Sequence, residues 1–226
     1  MPRSLIVVWT IFVKDLRVEW RYKEAITSVS VFGLLVVFLF NFAFESSREE
    51  SLRLLPGLLW VAFAFAGVMS FNRSFSSERE NAALEGLTLA PIDQGLIYVA
   101  KVGSNVFFLI IAECVVMLAA ALWYNLSVAP SLGRLCGIVL LGTLGYAAVG
   151  VTFGAVAANT RMREVMLPLL QFPVALPVFI AAIEATSGAL RGEPPAQYAS
   201  WVRLLAGFCV IFLVLSFLLF EYVLEE

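Results

Sequence analysis

Residues 99–124 read VAKVGSNVFFLIIAECVVMLAAALWY, and Lys101 and Glu113 are the charged residues in this run. About 20 predominantly apolar residues in a helix are enough to cross the ~30 Å hydrocarbon core of a bilayer. Five more stretches have the same character: 25–44, 52–72, 132–158, 164–186 and 200–223. The sequence therefore predicts an all-α polytopic membrane protein, with six transmembrane helices in a single domain over residues 1–226.

Composition supports this class and excludes several others. Hydrophobic residues make up 61% of the chain and charged residues 14%, against roughly 25% charged in soluble domains. The chain has no histidine, the commonest metal ligand and general base. It also lacks the GxxxxGK[ST] sequence of a P-loop, so a partner subunit must bind any ATP that is used. The three cysteines lack CxxC spacing, and no metal site, catalytic residue or nucleic-acid partner is predicted.

The N-terminal segment 1–24 predicts an amphipathic helix lying in the membrane interface, in contact with lipid. One face of this helix is apolar and carries Trp9, Phe12, Val13, Leu16 and Trp20. Another face is mainly basic and carries Lys14, Arg17, Arg21 and Glu24. With these spans, ten of the 15 Lys and Arg residues fall on the N-terminal side. The positive-inside rule then places both termini in the cytoplasm.

The connection 73–98 is longer than a turn requires, and connections of this length often carry function. Within it, Ser77-Glu78-Arg79-Glu80 has the spacing of a capping box at a helix start, where the dipole favours acidic residues. Leu84 and Leu87 share a face, and Ala90-Pro91 ends the segment. This predicts a short cytoplasmic helix suited to docking a partner; the alternative is a helix that only bridges a gap.

Pro91 also predicts the start of a long helix, running from Ile92 into the third span. Lys101 lies near the cytoplasmic end of that span. The prediction is that its side chain extends along the helix toward the membrane surface.

Glu113 lies near the middle of the third span, where a charged side chain costs at least ~2.5 kcal/mol. It should therefore face protein or a cavity. Two interpretations remain open. Glu113 contacts substrate or couples protons, or it is a protonated carboxyl or a helix–helix hydrogen bond.

Two later spans contain glycine or proline residues that affect helix packing and helix shape. The fourth contains two GxxxG patterns, Gly133/Gly137 and Gly150/Gly154, which favour close packing within the molecule over a seam with a second copy. The fifth contains Gln171 and three prolines: Pro168, Pro173 and Pro177. Each proline removes a backbone donor, which predicts a bent helix that is broken or deformable, either as a static kink or as a moving element.

Three segments together resemble the CcmB family, the permease subunits of the haem exporter-like ABC complex of cytochrome c maturation. They are FVKDLRVEWRYKEAI at 12–26, ERENAALEGLTLAPIDQGLIYVAK at 78–101 and MLPLLQFPVALPVFIAAIEAT at 166–186. The order of the segments and the chain length also match. The middle segment alone is similar to the coupling region of many ABC-2 type permeases.

The resemblance implies a multi-pass protein of the bacterial inner membrane. Its coupling segment, which would dock a CcmA-like ATPase subunit, comprises Glu78, Glu80, Leu84, Glu85, Leu87, Pro91 and Lys101. Its N-terminal family motif comprises Asp15, Leu16, Arg17 and Arg21. The other implied partners are CcmC-, CcmD- and CcmE-like membrane proteins, and a second copy of the chain is a further candidate.

Without histidine, the chain offers haem no strong axial ligand. Partner subunits are therefore expected to hold haem and ATP, while this chain converts ATP-driven closure into helix movement. The alternatives are an ABC-2 exporter of drugs or lipid-linked sugars, and a secondary transporter that couples protons through Glu113. A scaffold that gathers partners also remains open; an intramembrane enzyme is disfavoured because paired acids and histidine are lacking.

Overall fold

The computed structural model describes residues 3–22, 24–43, 48–80, 92–125, 131–158, 160 and 162–225. Throughout these ranges the regular structure is helical, with no strand, as predicted. The described residues form seven helices: α1 Arg3–Tyr22, α2 Glu24–Ala43, α3 Arg48–Glu80, α4 Gln94–Trp123, α5 Leu132–Ala158, α6 Arg163–Leu190 and α7 Pro195–Glu225.

Five of the six predicted spans, in α3 to α7, are long and apolar enough to cross a membrane. The first predicted span, 25–44, forms α2, but the apolar part within its described residues is Thr27–Phe40. At 1.5 Å per residue this part is about 21 Å long, shorter than the hydrocarbon core. The predicted count of six is therefore confirmed for five helices.

The centre of the bundle is α5, which packs against α3, α4, α6 and α7. Glycines of α5 make room for large side chains of α3: Gly142 lies against Trp60, Gly150 against Phe71 and Gly154 against Phe75. The pair Gly150/Gly154 therefore packs within the molecule, as predicted. Gly133 and Gly137 are exposed, and an added Cβ at either would meet nothing within 4 Å.

Two predicted helix starts in the long connection are wrong. Ser77-Glu78-Arg79-Glu80 does not start a helix, because α3 runs without a break from Arg48 to Glu80 and these residues form its last turn. The predicted long helix into the third span is present, but in the described residues it begins at Gln94 rather than Ile92. Asp93 is its N-cap, and the Asp93 Oδ1 atom accepts a 2.8 Å hydrogen bond from the Gly95 amide. Residues 81–93, called the connection 81–93 below, lie between these two helices; residues 81–91, and with them the rest of the predicted short cytoplasmic helix, lie outside the described residues.

The proline-rich segment is also more regular than the prediction of a broken helix. All three prolines lie inside α6, a continuous helix of 28 residues. Neighbouring helices can satisfy backbone groups that proline frees, which is why proline is tolerated inside membrane helices. Whether α6 deforms in operation stays a prediction.

Candidate functional site

A buried polar network joins α1, α3 and α4 next to the connection 81–93. Its members belong to three helices and are Asp15 and Glu19 of α1, Ser70, Arg73 and Ser74 of α3, and Lys101, Ser104 and Asn105 of α4. On α3 and α4 the polar side chains recur at spacings of three and four residues, so each set occupies one helix face. These two faces meet each other and α1.

Lys101 is the centre of the network, and its burial contradicts the prediction that it extends to the membrane surface. The residue is 1% exposed. Its Nζ atom lies 3.2 Å from the Asp15 carboxylate and donates to the Ser74 carbonyl at 3.3 Å. The same atom lies 5.5 Å from the centroid of the Phe75 ring. Lys101 stays inside because a carboxylate from α1 is there to pair with it.

Asn105, one turn beyond Lys101, extends the network toward the middle of the bundle. Its Nδ2 atom donates to the Lys101 carbonyl at 2.8 Å and to Ser74 Oγ at 3.2 Å. Its Oδ1 atom accepts a 2.9 Å hydrogen bond from Ser70 Oγ. Both ends of this buried amide are therefore satisfied, which favours a single arrangement of α3 on α4.

A second ion pair joins α1 to α3. The Glu19 carboxylate lies 3.6 Å from Nε of Arg73, and Glu19 is buried. Elsewhere in the N-terminal motif, Leu16 is half-buried, while Arg17 and Arg21 are exposed. Of the motif residues predicted from the sequence, Asp15 is the one that the network brings against Lys101.

This arrangement is suited to holding helices together rather than to chemistry. Ion pairs and hydrogen bonds occupy Asp15, Lys101 and Asn105. Among the described residues, no group of three or more His, Cys, Asp and Glu could hold a metal ion. The network joins three helices at one level of the bundle.

Glu113 lies deeper in the bundle and, as expected, faces protein. It is 2% exposed, and the Thr143 hydroxyl lies 2.9 and 2.7 Å from its two carboxyl oxygens. The contact joins α4 to α5, which is the helix–helix hydrogen bond of the second interpretation. The first interpretation, substrate contact or proton coupling, stays a hypothesis.

We expect Glu113→Gln to preserve both assembly and activity, because a glutamine carbonyl also accepts a hydrogen bond from Thr143. Glu113→Leu should instead lower stability by about 1–3 kcal/mol, since it leaves a buried hydroxyl unsatisfied. Thermal unfolding in detergent and activity in membranes measure the two effects. A fully assembled Glu113→Gln variant without activity would favour substrate contact or proton coupling.

Gln171 of α6 is fully buried, yet both polar atoms of its side chain lack a hydrogen-bond partner. It packs beside Gly150, where an added Cβ would lie 2.6 Å from Gln171 Nε2. Pro168 is half-buried, while Pro173 and Pro177 are exposed. Gln171 therefore lies in the packed interior while Pro173 and Pro177 lie on the exposed side of the same helix, and Gln171 takes no part in the polar network.

The remaining predicted site residues belong to the coupling segment. The backbone of Glu78 and Glu80 lies in the last turn of α3. Leu84, Glu85, Leu87 and Pro91 lie outside the described residues.

Sequence reasoning missed most of the polar network. The residues that it did not single out are Glu19, Ser70, Arg73, Ser74, Ser104 and Asn105. A signal was available in their spacing, because polar residues repeated every three or four positions in an apolar helix indicate a face in contact with protein. The spacing alone could not say which helices would meet.

Comparison with known proteins agrees with the resemblance. The CcmB protein family matches residues 6–225. Heme exporter protein B of Pseudomonas aeruginosa is 28% identical over 189 residues, covering 84% of each chain. Heme exporter protein B of Escherichia coli (strain K12) is 29% identical over 207 residues, covering 89% of this chain and 92% of the relative. Since the family match extends over nearly the whole sequence, the chain belongs to the CcmB family.

Proposed function

We propose that the chain is the permease subunit of an ABC complex that exports or handles haem for cytochrome c maturation. Family membership and relatives named heme exporter protein B support this function. A CcmA-like partner would bind and hydrolyse ATP, because the sequence has no P-loop of its own. The chain would carry out no catalysis and would convert the partner's closure into helix movement.

The observation that carries the mechanism is the contact of Lys101 with Ser74. These residues lie on α4 and α3, the two helices that the connection 81–93 joins. A partner that pushes on this connection would therefore move both helices together. Packed helices transmit such displacements as rigid bodies because their interfaces do not deform continuously.

The coupling segment is proposed at the end of α3 and in the connection that follows. Glu78 and Glu80 lie at the C-terminal end of a helix, where the dipole disfavours negative charge. Because acidic residues at this end do not stabilise the helix, a role in binding a partner would explain their presence. Leu84, Glu85, Leu87 and Pro91 would complete the docking surface, as the family resemblance implies.

Charge removal at the end of α3 tests the docking role. We expect Glu78→Gln with Glu80→Gln to weaken ATPase binding, so that less of the ATPase is recovered with the tagged chain and less ATP is hydrolysed. Glu221→Gln is the matched control, since Glu221 is an exposed acid near the end of α7. Unchanged recovery and hydrolysis in the double variant would contradict the assignment.

The proposed setting is the bacterial inner membrane, with both termini in the cytoplasm. There α2 would also cross the membrane, which brings the number of spans to six. Helix α1 would lie in the interface with its exposed Trp9 and Trp20 among lipid headgroups. CcmC-, CcmD- and CcmE-like proteins would hold the haem, and a second copy of the chain is a further candidate partner. This chain would then need no axial ligand for haem.

Purification of the tagged chain from its native membrane distinguishes this function from its alternatives. Mass spectrometry should find a P-loop ATPase together with a haem-handling membrane protein. An ATPase alone would favour an ABC-2 exporter of another substrate. The absence of any ATPase under conditions that preserve other complexes would refute the proposal and favour proton coupling through Glu113.

A further inference from the structure

We propose that the N-terminal helix α1 is a moving part of the coupling apparatus, held by Asp15 and Glu19 against both helices that flank the connection 81–93. This inference rests on the proposed function, because it concerns how ATP-driven movement spreads through the subunit. Asp15 and Glu19 would be positioning residues, acting through α3 and α4 without touching the cargo.

The face of α1 that packs on the bundle carries two acids beside its apolar residues, where a simple anchor would be apolar throughout. Ile11, Asp15 and Glu19 follow one another at four-residue spacing, and the side chains of the two acids are 13% and 11% exposed. Removing carboxylates from water costs free energy that only well-placed partners offset. A helix that merely rested on the membrane would gain more from apolar residues here, so the acids indicate a specified position.

Each acid pairs with a different flanking helix. Asp15 contacts Lys101, seven residues after α4 begins at Gln94, and Glu19 contacts Arg73, seven residues before α3 ends at Glu80. Both ion pairs are thus about 10 Å along a helix from the connection. Residues one turn apart on α1 therefore join the two helices at the same level.

The three helices form a closed set of contacts. Asp15 joins α1 to α4, Glu19 joins α1 to α3, and Lys101 joins α4 to the Ser74 carbonyl of α3. Ser104 adds a 3.1 Å hydrogen bond to Asp15. The ends of α3 and α4 can keep every one of these contacts during a displacement only if α1 moves with them.

The opposite face of α1 gives such a movement a consequence in the membrane. Leu5, Ile6, Trp9 and Trp20 are all more than half exposed. Apolar and tryptophan side chains on a surface helix partition into the headgroup region. Displacement of α1 would therefore carry a lipid-facing surface along with the coupling helices.

The test compares ATP hydrolysis with the formation of holocytochrome c by the whole complex. The tagged chain is expressed with its ATPase and membrane partners, and holocytochrome c formed per ATP hydrolysed is measured. We expect Asp15→Asn and Glu19→Gln, each made alone, to lower this ratio by about two- to thirty-fold. ATPase recovery and the KM for ATP should not change. Asp15→Glu should restore most of the ratio, and Glu221→Gln, at an exposed acid of α7 outside the network, is the control.

One double variant separates loss of coupling from loss of folding. Asp15→Asn combined with Lys101→Met removes the ion pair without leaving a buried charge, and it should also lower the ratio. A normal ratio in this double variant, or in both single acid variants, would overturn the inference while leaving the proposed function intact. A wild-type complex without ATPase would overturn both.

Cross-linking tests the joint movement directly. The Phe12 ring lies 3.5 Å from the position of a Cβ at Gly103, so Phe12→Cys and Gly103→Cys place two thiols close together on α1 and α4. With the three native cysteines replaced by alanine, a short bis-maleimide should join them without loss of the ratio, because the helices move as one body. Loss of the ratio on cross-linking, relative to the untreated variant, would overturn the inference.

Discussion

Replacing Lys101 with methionine should destabilise the protein by about 3–5 kcal/mol, because it leaves the largely buried Asp15 carboxylate without its main partner. Methionine is close to lysine in length, so the change removes charge with little loss of volume. Thermal unfolding of the purified subunit in one detergent measures the effect. A variant as stable as the wild-type chain would contradict the burial and pairing of Lys101.

Two comparisons isolate the ion pair from general damage at this site. Lys14 is the other cation near Asp15, and the Lys14 side chain is 39% exposed. Lys14→Met should therefore lower the stability by only about 0–1 kcal/mol. Asp15→Asn combined with Lys101→Met should be more stable than Lys101→Met alone, because neither charge then remains without its partner. A double variant at least as unstable as the single one would mean that packing, rather than charge, decides the result.

Replacing Gly150 with alanine should destabilise the bundle, although it adds only one methyl group. The new methyl group would overlap the ring of Phe71 and lie 2.6 Å from Gln171 Nε2. Both side chains are fully buried, and Phe71 also packs edge-on against Tyr146 at 5.3 Å. Overpacking of this kind costs about 1–3 kcal/mol, which should appear as a lower Tm and a smaller yield of folded protein.

Gly137→Ala is the matched control, because it changes a glycine of the other GxxxG pattern on the same helix. An added Cβ at Gly137 meets nothing within 4 Å, so this variant should be as stable as the wild-type chain in detergent. Phe71→Leu should partly rescue Gly150→Ala by giving the methyl group space. Equal effects of the two glycine substitutions would contradict the packing of α5 on α3.

Patterns local to one helix were the most predictable from sequence. Apolar run length located five spans, and residues 132–158 coincide with α5. The same local reasoning failed at Ser77–Glu80, because a capping box can also lie inside the end of a longer helix whose apolar part precedes it. It failed at Lys101 for another reason, since a lysine near a helix end extends to the surface unless an acid from elsewhere in the chain meets it.

The sequence by itself determined that this is an all-helical membrane protein of the CcmB family, because span length, composition and short motifs are properties of consecutive residues. Only the tertiary structure decided that Asp15, Ser74 and Lys101, far apart in the chain, meet in one buried network, and that Gly150 packs internally while Gly137 is exposed. The physical reason is that lipid surrounds every apolar helix alike. Which faces meet depends on the fit of side chains from other helices and on the pairing of the few charges that would otherwise lie unpaired in the membrane.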